Sequence, residues 1–433
     1  MKNKKGFWAL NIGLLYILPW LVGFILFKVY PFLSSLFYSF TNYDLFNGIT
    51  KYGMMNYEKI FTDPDIIRAF VVTFKYAIFD VPLKLMFALF IAYILNFKLK
   101  GVNFFRTAYY IPSILGGSIA IAILWRAVFN TDGLINTVLG AFGIPEINWM
   151  AGDMRALMVI VLLRVWQFGS AMVIFLAALK GVSEDLYEAA SIDGAGKWTQ
   201  FFKITVPLIT PVIFYNLVTQ LCQAFQEFNG PFLVTKGGPN GATTLISMLI
   251  YNNAFLRHKM GMASAQAWIL FLPQVVLNAP QYIMFNNWKW VNTYLPLVIP
   301  SLFAADTYFV FMLIQFLRGV PKELEEAAKI DGCNTLKTLW YVIVPMLKPS
   351  LVSCALFQFM WTNNDFQGPL IYIADMDKYT NSVYLRMSMD GDVGFQWNRI
   401  LAMSLISIIP SLVVFFCAQD SFIDGIAAGG VKG

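Results

Sequence analysis

The residues that could do chemistry in this chain assemble no active site. Gly194-Ala195-Gly196-Lys197-Trp198 has part of a phosphate-binding loop. It lacks the leading Gly of that pattern, and Trp198 stands where Ser or Thr would hold magnesium. Cys222, Cys333, Cys354 and Cys417 stand alone, with neither disulfide nor zinc spacing. The single histidine, His258, lies between Arg257 and Lys259 and reads as a solvated loop residue. No nucleophile, metal cluster or nucleotide site is expected, so the chain is not expected to be an enzyme or to bind a cofactor.

Docking is a better use of what is there. Glu188-Ala189-Ala190, three residues and Gly194 return 138 residues later as Glu326-Ala327-Ala328, three residues and Gly332. The surroundings return in the same register. Leu179-Lys180-Gly181-Val182 matches Leu317-Arg318-Gly319-Val320, Pro207 matches Pro345, and Pro211 matches Pro349. Self-similarity at a fixed offset marks one structural unit used twice. Ser183 is a helix N-cap, and Glu184 and Asp185 complement the positive end of the dipole that follows. Pro321 suits a first helical position in the second copy. Gly194 and Gly332 are natural stops. Helices of about ten residues do not persist alone in water and need a surface to bind. Val182, Leu186, Ala189 and Ala190 form one apolar stripe, as do Val320, Leu324, Ala327 and Ala328, with Glu188 and Glu326 beside them. The Ala pairs leave room for another backbone to approach.

Each copy is a polar island in an apolar chain. Of the 433 residues 58% are hydrophobic and 13% charged, about half the charge share of a soluble domain. Apolar runs near twenty residues predict an all-α polytopic membrane protein with about eight full spans. They cover Phe7–Phe27, Phe70–Leu95, Ala108–Phe129, Ala156–Leu179, Leu208–Phe228, Leu295–Leu317, Leu351–Ile373 and Ile400–Ala418. A further segment, Met260 to Phe285, is about long enough for one crossing. Bent at Pro273 and Pro280 it would form a re-entrant hairpin. Lys2, Lys4 and Lys5 place the N-terminus in the cytoplasm, as a retained helix and not a cleaved leader. The basic residues of both repeated loops put those loops inside too. The net charge of +6 is scattered over loops, so no nucleic acid partner is expected.

Ionisable residues inside spans cost roughly 3 kcal/mol or more each in hydrocarbon. Lys75, Asp80, Lys84 and Arg164 are such residues. Lys75 and Lys84 are read as snorkelling to the headgroups. For Arg164 a pathway lining and a helix-end position stay open. A second polar set, Asn216, Gln220, Gln223, Gln226 and Glu227, lies in the fifth span, and Gln358, Trp361, Asn363, Asn364 and Asp365 lie in its repeat. Amides and flat rings of this kind suit a sugar path, and equally suit interhelical hydrogen bonding.

At the repeated loops the chain resembles a known family. Glu-Ala-Ala, three residues, Gly, nine residues and a closing apolar-Pro run is similar to the signature of permease subunits of binding-protein-dependent ABC importers. The text from Leu186 to Ala195 resembles the first permease of a maltose or glycerol-phosphate type pair. The text from Pro321 to Cys333 and the tail from Phe422 to Gly433 resemble the second. The resemblance implies a carbohydrate importer in a bacterial or archaeal plasma membrane. Glu188, Ala189, Ala190 and Gly194 would form one docking element, and Glu326, Ala327, Ala328 and Gly332 the other, both seated on a cytoplasmic ABC ATPase dimer. ATP and magnesium would be held by that partner. An extracytoplasmic sugar-binding protein and a second permease complete the implied partners. Residues 1–270 resemble a first permease half, and 271–433 a truncated second half. That pattern implies a fusion with an internal deletion. A self-contained secondary transporter with parallel repeats, or an inactive deletion product, are the alternatives.

Overall fold

A computed structural model describes residues 17–97, 101–270, 273–303, 306–389 and 397–430. Among these residues the regular structure is helical, and the strand-like pairing is limited to isolated bridges such as Thr41 to Tyr52. Four helices are long and apolar enough to cross a membrane: Ile17–Ser39, Pro64–Asn96, Leu295–Arg318 and Trp397–Cys417. Four bent pairs raise the number to eight if each pair is one span. Counted that way the described residues reach the expected eight, with four of them broken.

Each break has a local cause. The predicted span Ala108–Phe129 is two helices, Val102–Leu115 and Ile119–Val128, bent by 101°. Gly116 and Gly117 interrupt it, and Ser118 caps the second piece by accepting from the Ala120 amide. The predicted span Ala156–Leu179 divides into Asp153–Trp166 and Gly169–Lys180, bent by 47°. The predicted spans Leu208–Phe228 and Leu351–Ile373 follow bends of 69° and 75°. There Pro211 and Pro349 have no amide to donate to the carbonyls of Pro207 and Pro345, so the helix cannot run through. The second of these also ends early, at Asn364, and a separate helix follows at Gln367–Tyr372.

Several expectations fall partly outside the described residues, among them Lys2, Lys4, Lys5 and the start of the first run. The described part of that helix continues beyond Phe27 to Ser39. Pro31 does not stop it, because a π-turn over Ile25–Val29, closed by the Tyr30 amide on the Ile25 carbonyl, shifts the hydrogen-bond register first. Val431-Lys432-Gly433 also lie outside.

The chain divides into two compact units. The larger holds Phe32–Ile283 with Asn381–Leu405, and the smaller holds Met1–Pro31, Met284–Thr380 and Ile406–Gly433. The larger unit is built on Pro64–Asn96, 33 residues capped by Asp63 and opened by Pro64. A core of Ile60, Ile66, Ile246, Leu249, Met260 and Ala263 lies beside it. The doubtful segment is resolved into two helices, Met260–Leu270 and Pro273–Asn287. Pro280 sits inside the second and does not break it. Residues Met260 to Ala267 are all buried, and the small ones among them, Gly261 above all, let backbones touch. In the smaller unit Asn292, with φ +66°, accepts from the amides of Ala374 and Asp375 and donates to the Asp375 carboxylate at 2.6 Å. That hydrogen bond and the Lys378 ammonium hold Asp375 below the usual carboxylate range, the ammonium contributing most.

A Cβ on Gly261 would lie 2.1 Å from the Thr41 carbonyl oxygen, while one on Gly140 would meet nothing within 4 Å. Gly261→Ala should therefore cost about 1–3 kcal/mol by overpacking, and Gly140→Ala should cost nothing. Thermal unfolding of the two purified variants in detergent checks the contrast; equal melting temperatures would contradict this packing.

Candidate functional site

The repeated loops fold alike to the residue. Gly169–Lys180 pairs with Thr307–Arg318, Glu184–Ile192 with Lys322–Ile330, and Thr210–Gln226 with Lys348–Asn364. All are displaced by the same 138 residues as the motif. The π-turns Phe201–Thr205 and Leu339–Ile343 obey the same offset. Here Pro207 and Pro345 remove a donor, and the chain closes i→i−5 bonds instead, Val206 to Phe201 and Val344 to Leu339.

Each short helix has nine residues and ends in a full Schellman motif. Gly194 N–H donates to the Ser191 carbonyl and Ala195 N–H to Ala190; Gly332 N–H donates to Lys329 and Cys333 N–H to Ala328. The two glycines have φ of +77° and +78°, which a side chain resists. Ser183 caps the first helix as expected, accepting from the Asp185 amide. Pro321 occupies the N-cap and not the first helical position, so the second helix opens without a side-chain cap.

The apolar stripes do not behave as one face. Ala190 is half-buried and Ala328 buried, while Ala189, Ala327, Glu188, Glu326, Leu186 and Leu324 are exposed. Ile192 and Ile330, at the helix ends, are 86% and 85% exposed. So each helix rests on its own loop through the second Ala and offers Glu, the first Ala and large apolar side chains outward. The support differs between copies. The Tyr187 and Thr205 hydroxyls lie 2.8 Å apart, and Gln200 donates to Ser191 Oγ and to the Ala195 carbonyl. Glu325 and Ile343 stand at the positions of Tyr187 and Thr205 in the second copy, which is held by burial of Ala328, Thr338 and Ile343.

Inside the larger unit the polar residues of the spans converge. Tyr76, Asp80 and Lys84, four apart on one helix face, are all buried. Lys84 is 2% exposed, so it does not snorkel; its chain is too far from either helix end to reach the headgroups. Arg164, Lys84 and Glu227 are the charges surrounding Asp80. Arg164 Nε lies 3.3 Å from Glu227 Oε2, Nη1 donates to Gln167 Oε1 at 3.1 Å, and Nη2 donates to Gln223 Oε1 at 3.1 Å. Such charges survive in hydrocarbon only when paired and shielded. Lys75, by contrast, is exposed. His258 is half-buried, its ring edge-on to Phe46 with centroids 4.7 Å apart, and not freely solvated.

Of the amide set, Asn216 and Gln220 are buried, Gln226 is half-buried, and Gln223 is exposed beyond its bond to Arg164. In the second copy Gln358 is exposed and donates to Thr362, and Trp361 packs at a tilt against Tyr308 and Phe309, 5.3 and 5.1 Å between centroids. Asn364 is half-buried. Gln167 is a partner that the sequence reading passed over; a lone amide between Trp166 and Phe168 in an apolar run was its signal.

The family model of binding-protein-dependent transport system inner membrane components matches residues 84–285 and again 263–423. The chain belongs to this family. It is a permease component of an ABC importer, a transport subunit and not an enzyme, and the self-contained secondary transporter gives way to this membership. The two matches share 263–285, so one stretch reads both as the close of a first copy and the opening of a second. Among its relatives is a probable ABC transporter permease, YesP of Bacillus subtilis, 47% identical over 298 residues. That match covers 67% of this chain and 96% of the relative. The probable starch degradation products permease AmyD of Thermoanaerobacterium thermosulfurigenes is 30% identical, over 64% and 94%. The sn-glycerol-3-phosphate permease UgpA of Escherichia coli is 33% identical, over 62% and 92%. A crystal structure of a bacterial alginate ABC transporter, in complex with its alginate pentasaccharide-bound periplasmic protein, shares the fold. The TM-score is 0.53 at 22% identity, over 67% of this chain and 97% of the other.

Gly194→Ala and Gly332→Ala should each destabilise a helix end by about 1–2 kcal/mol, the cost of a side chain in the left-handed region. Gly196, with φ −67° and open space around it, should accept Ala almost silently. Amide hydrogen exchange at residues 189–195 and 327–333 measures this, and equal protection in all three variants would contradict the motif.

Proposed function

We propose that this permease forms the translocation path of an ATP-driven carbohydrate importer and takes its drive from separate ATPase subunits. One observation carries the reading: two nine-residue helices, closed by the same C-terminal glycine motif and displaced by one constant offset, keep their acidic and apolar faces uncovered. Helices this short gain stability only from a partner surface. Glu188, Ala189, Ala190 and Gly194 on one, and Glu326, Ala327, Ala328 and Gly332 on the other, form the docking elements for a cytoplasmic ABC ATPase dimer. ATP and magnesium belong to that partner. Both loops and the N-terminus face the cytoplasm, following the basic residues around them. A sugar-binding protein delivers the cargo from outside, and a second permease completes the path. The sugar class follows the starch-product and alginate systems among the relatives. Asn216, Gln220, Gln223 and Gln226 in the larger unit, and Gln358, Trp361 and Asn364 in the smaller unit taken by itself, are the residues proposed for contact with the sugar.

We infer further that residues 1–270 and 271–433 are two permease halves joined by an internal deletion. The helices Met260–Leu270 and Pro273–Asn287 span about 16 and 22 Å at 1.5 Å per residue, each short of the roughly 30 Å core. An even number of crossings is nonetheless needed here to bring both docking loops to one side. Resequencing the locus tests the join: two open frames are expected if sequence assembly made it, and one intact frame with expressed protein of this length would make the fusion natural.

Changing Glu188 and Glu326 together to Lys should abolish co-purification with a nucleotide-hydrolysing subunit while the chain still reaches the membrane. Undiminished co-purification would overturn the docking role. Cys333, at the end of the second helix, should react with impermeant thiol reagents only from the cytoplasmic side. Gln220→Leu should reduce uptake without loss of membrane-inserted protein.

A further inference from the structure

Arg164 sits where three broken spans meet. Its Nη1 donates to Gln167 Oε1, and Gln167 Nε2 donates onward to the Gly116 carbonyl, freed by the 101° bend of the neighbouring span. Ser113 Oγ donates to the Gln167 carbonyl and accepts from the Ser170 amide, closing the 47° break. Glu227, facing Arg164 Nε, uses its other carboxylate oxygen to accept from the Gly230 amide at 2.8 Å. The guanidinium is therefore held by Glu227 at Nε and by Gln167 at Nη1. Its remaining nitrogen, Nη2, is committed to Gln223 Oε1.

That last bond settles the direction of an amide. With its carbonyl oxygen accepting from Arg164, Gln223 turns its two N–H donors away from the guanidinium. Gln223 is exposed, in contrast to Asn216 and Gln220 on the same helix, which are buried. We propose that Arg164 is a positioning residue of the transport path, presenting the Gln223 amide as a hydrogen-bond donor to hydroxyl, ring or glycosidic oxygens of the cargo. Glu227 compensates the charge of the guanidinium, and Gln167, anchored on the Gly116 carbonyl, fixes its orientation. The second copy cannot repeat the device: Leu302 and Trp361 stand at the positions of Arg164 and Gln223. The oriented donor therefore belongs to the first copy alone, and a flat aromatic face takes its place in the other. This inference rests on the sugar-path reading of the fifth span.

The test is a double-mutant cycle of Arg164→Lys and Gln223→Leu in the full chain, expressed with its partner subunits. Lys keeps a cation opposite Glu227 but cannot hold Gln167 and Gln223 at once. Uptake is followed with the member of a radiolabelled starch and alginate oligosaccharide panel that the unsubstituted chain imports fastest. Each single variant should raise the apparent KM about tenfold, the loss of one oriented hydrogen bond, and the double variant should be no worse than either. Multiplying effects, or a fall in maximal rate with KM unchanged, overturns the proposal. Gln223→Leu without effect sinks the path reading, as does a chain that imports no member of the panel. Melting temperatures of the same four proteins give a readout that needs no cargo. They should be non-additive, and strict additivity overturns the Arg164–Gln223 contact whatever the fate of the path.

Discussion

In hydrocarbon a helix that breaks must find new partners for every backbone group it frees. Half of the spans in this fold are broken, and that constraint organises the larger unit. The Gly116 carbonyl takes the Gln167 amide, the Gly230 amide takes the Glu227 carboxylate, and the Val206 carbonyl takes the Thr210 hydroxyl. Arg164 joins the first two of these repairs through one planar group. Its burial would be costly alone; with Glu227 opposite and two amides in reach, the charge is compensated where it sits.

The repeat is a repeat of breaks as much as of helices. Pro207 and Pro345 force π-turns, Pro211 and Pro349 force bends, and each pair lies at the offset of the acidic motif. The short helices thus leave their loops in the same local geometry, since the same missing donors shape the chain on both sides. What differs is the support beneath them. Hydroxyls and an amide brace the first, while the second rests on buried Ala328, Thr338 and Ile343. Two short helices of equal shape can therefore differ in stiffness.

Much of this was legible because it is local. Caps at Ser183, stops at Gly194 and Gly332, and nine-residue helices follow from residue type and neighbours. Bends and depth were harder to see. Ala108–Phe129 has the composition of a span, but the glycine pair within it bends the chain by 101°. Lys84 was read as snorkelling because its position along a helix is visible in sequence and its burial is not. His258 among cations reads as solvated until Phe46, more than two hundred residues away, meets its ring edge-on.

Composition, periodicity and the 138-residue echo were sufficient for an all-helical membrane permease with two repeated short-helix loops, because apolar length, capping and proline chemistry act within a few residues. Tertiary structure alone decided which polar side chains meet. Arg164, Gln167, Gln223 and Glu227 lie on or beside different helices and become one network only when broken spans pack, since the direction of a side chain across a bundle depends on helix rotation and bend and not on spacing along the chain.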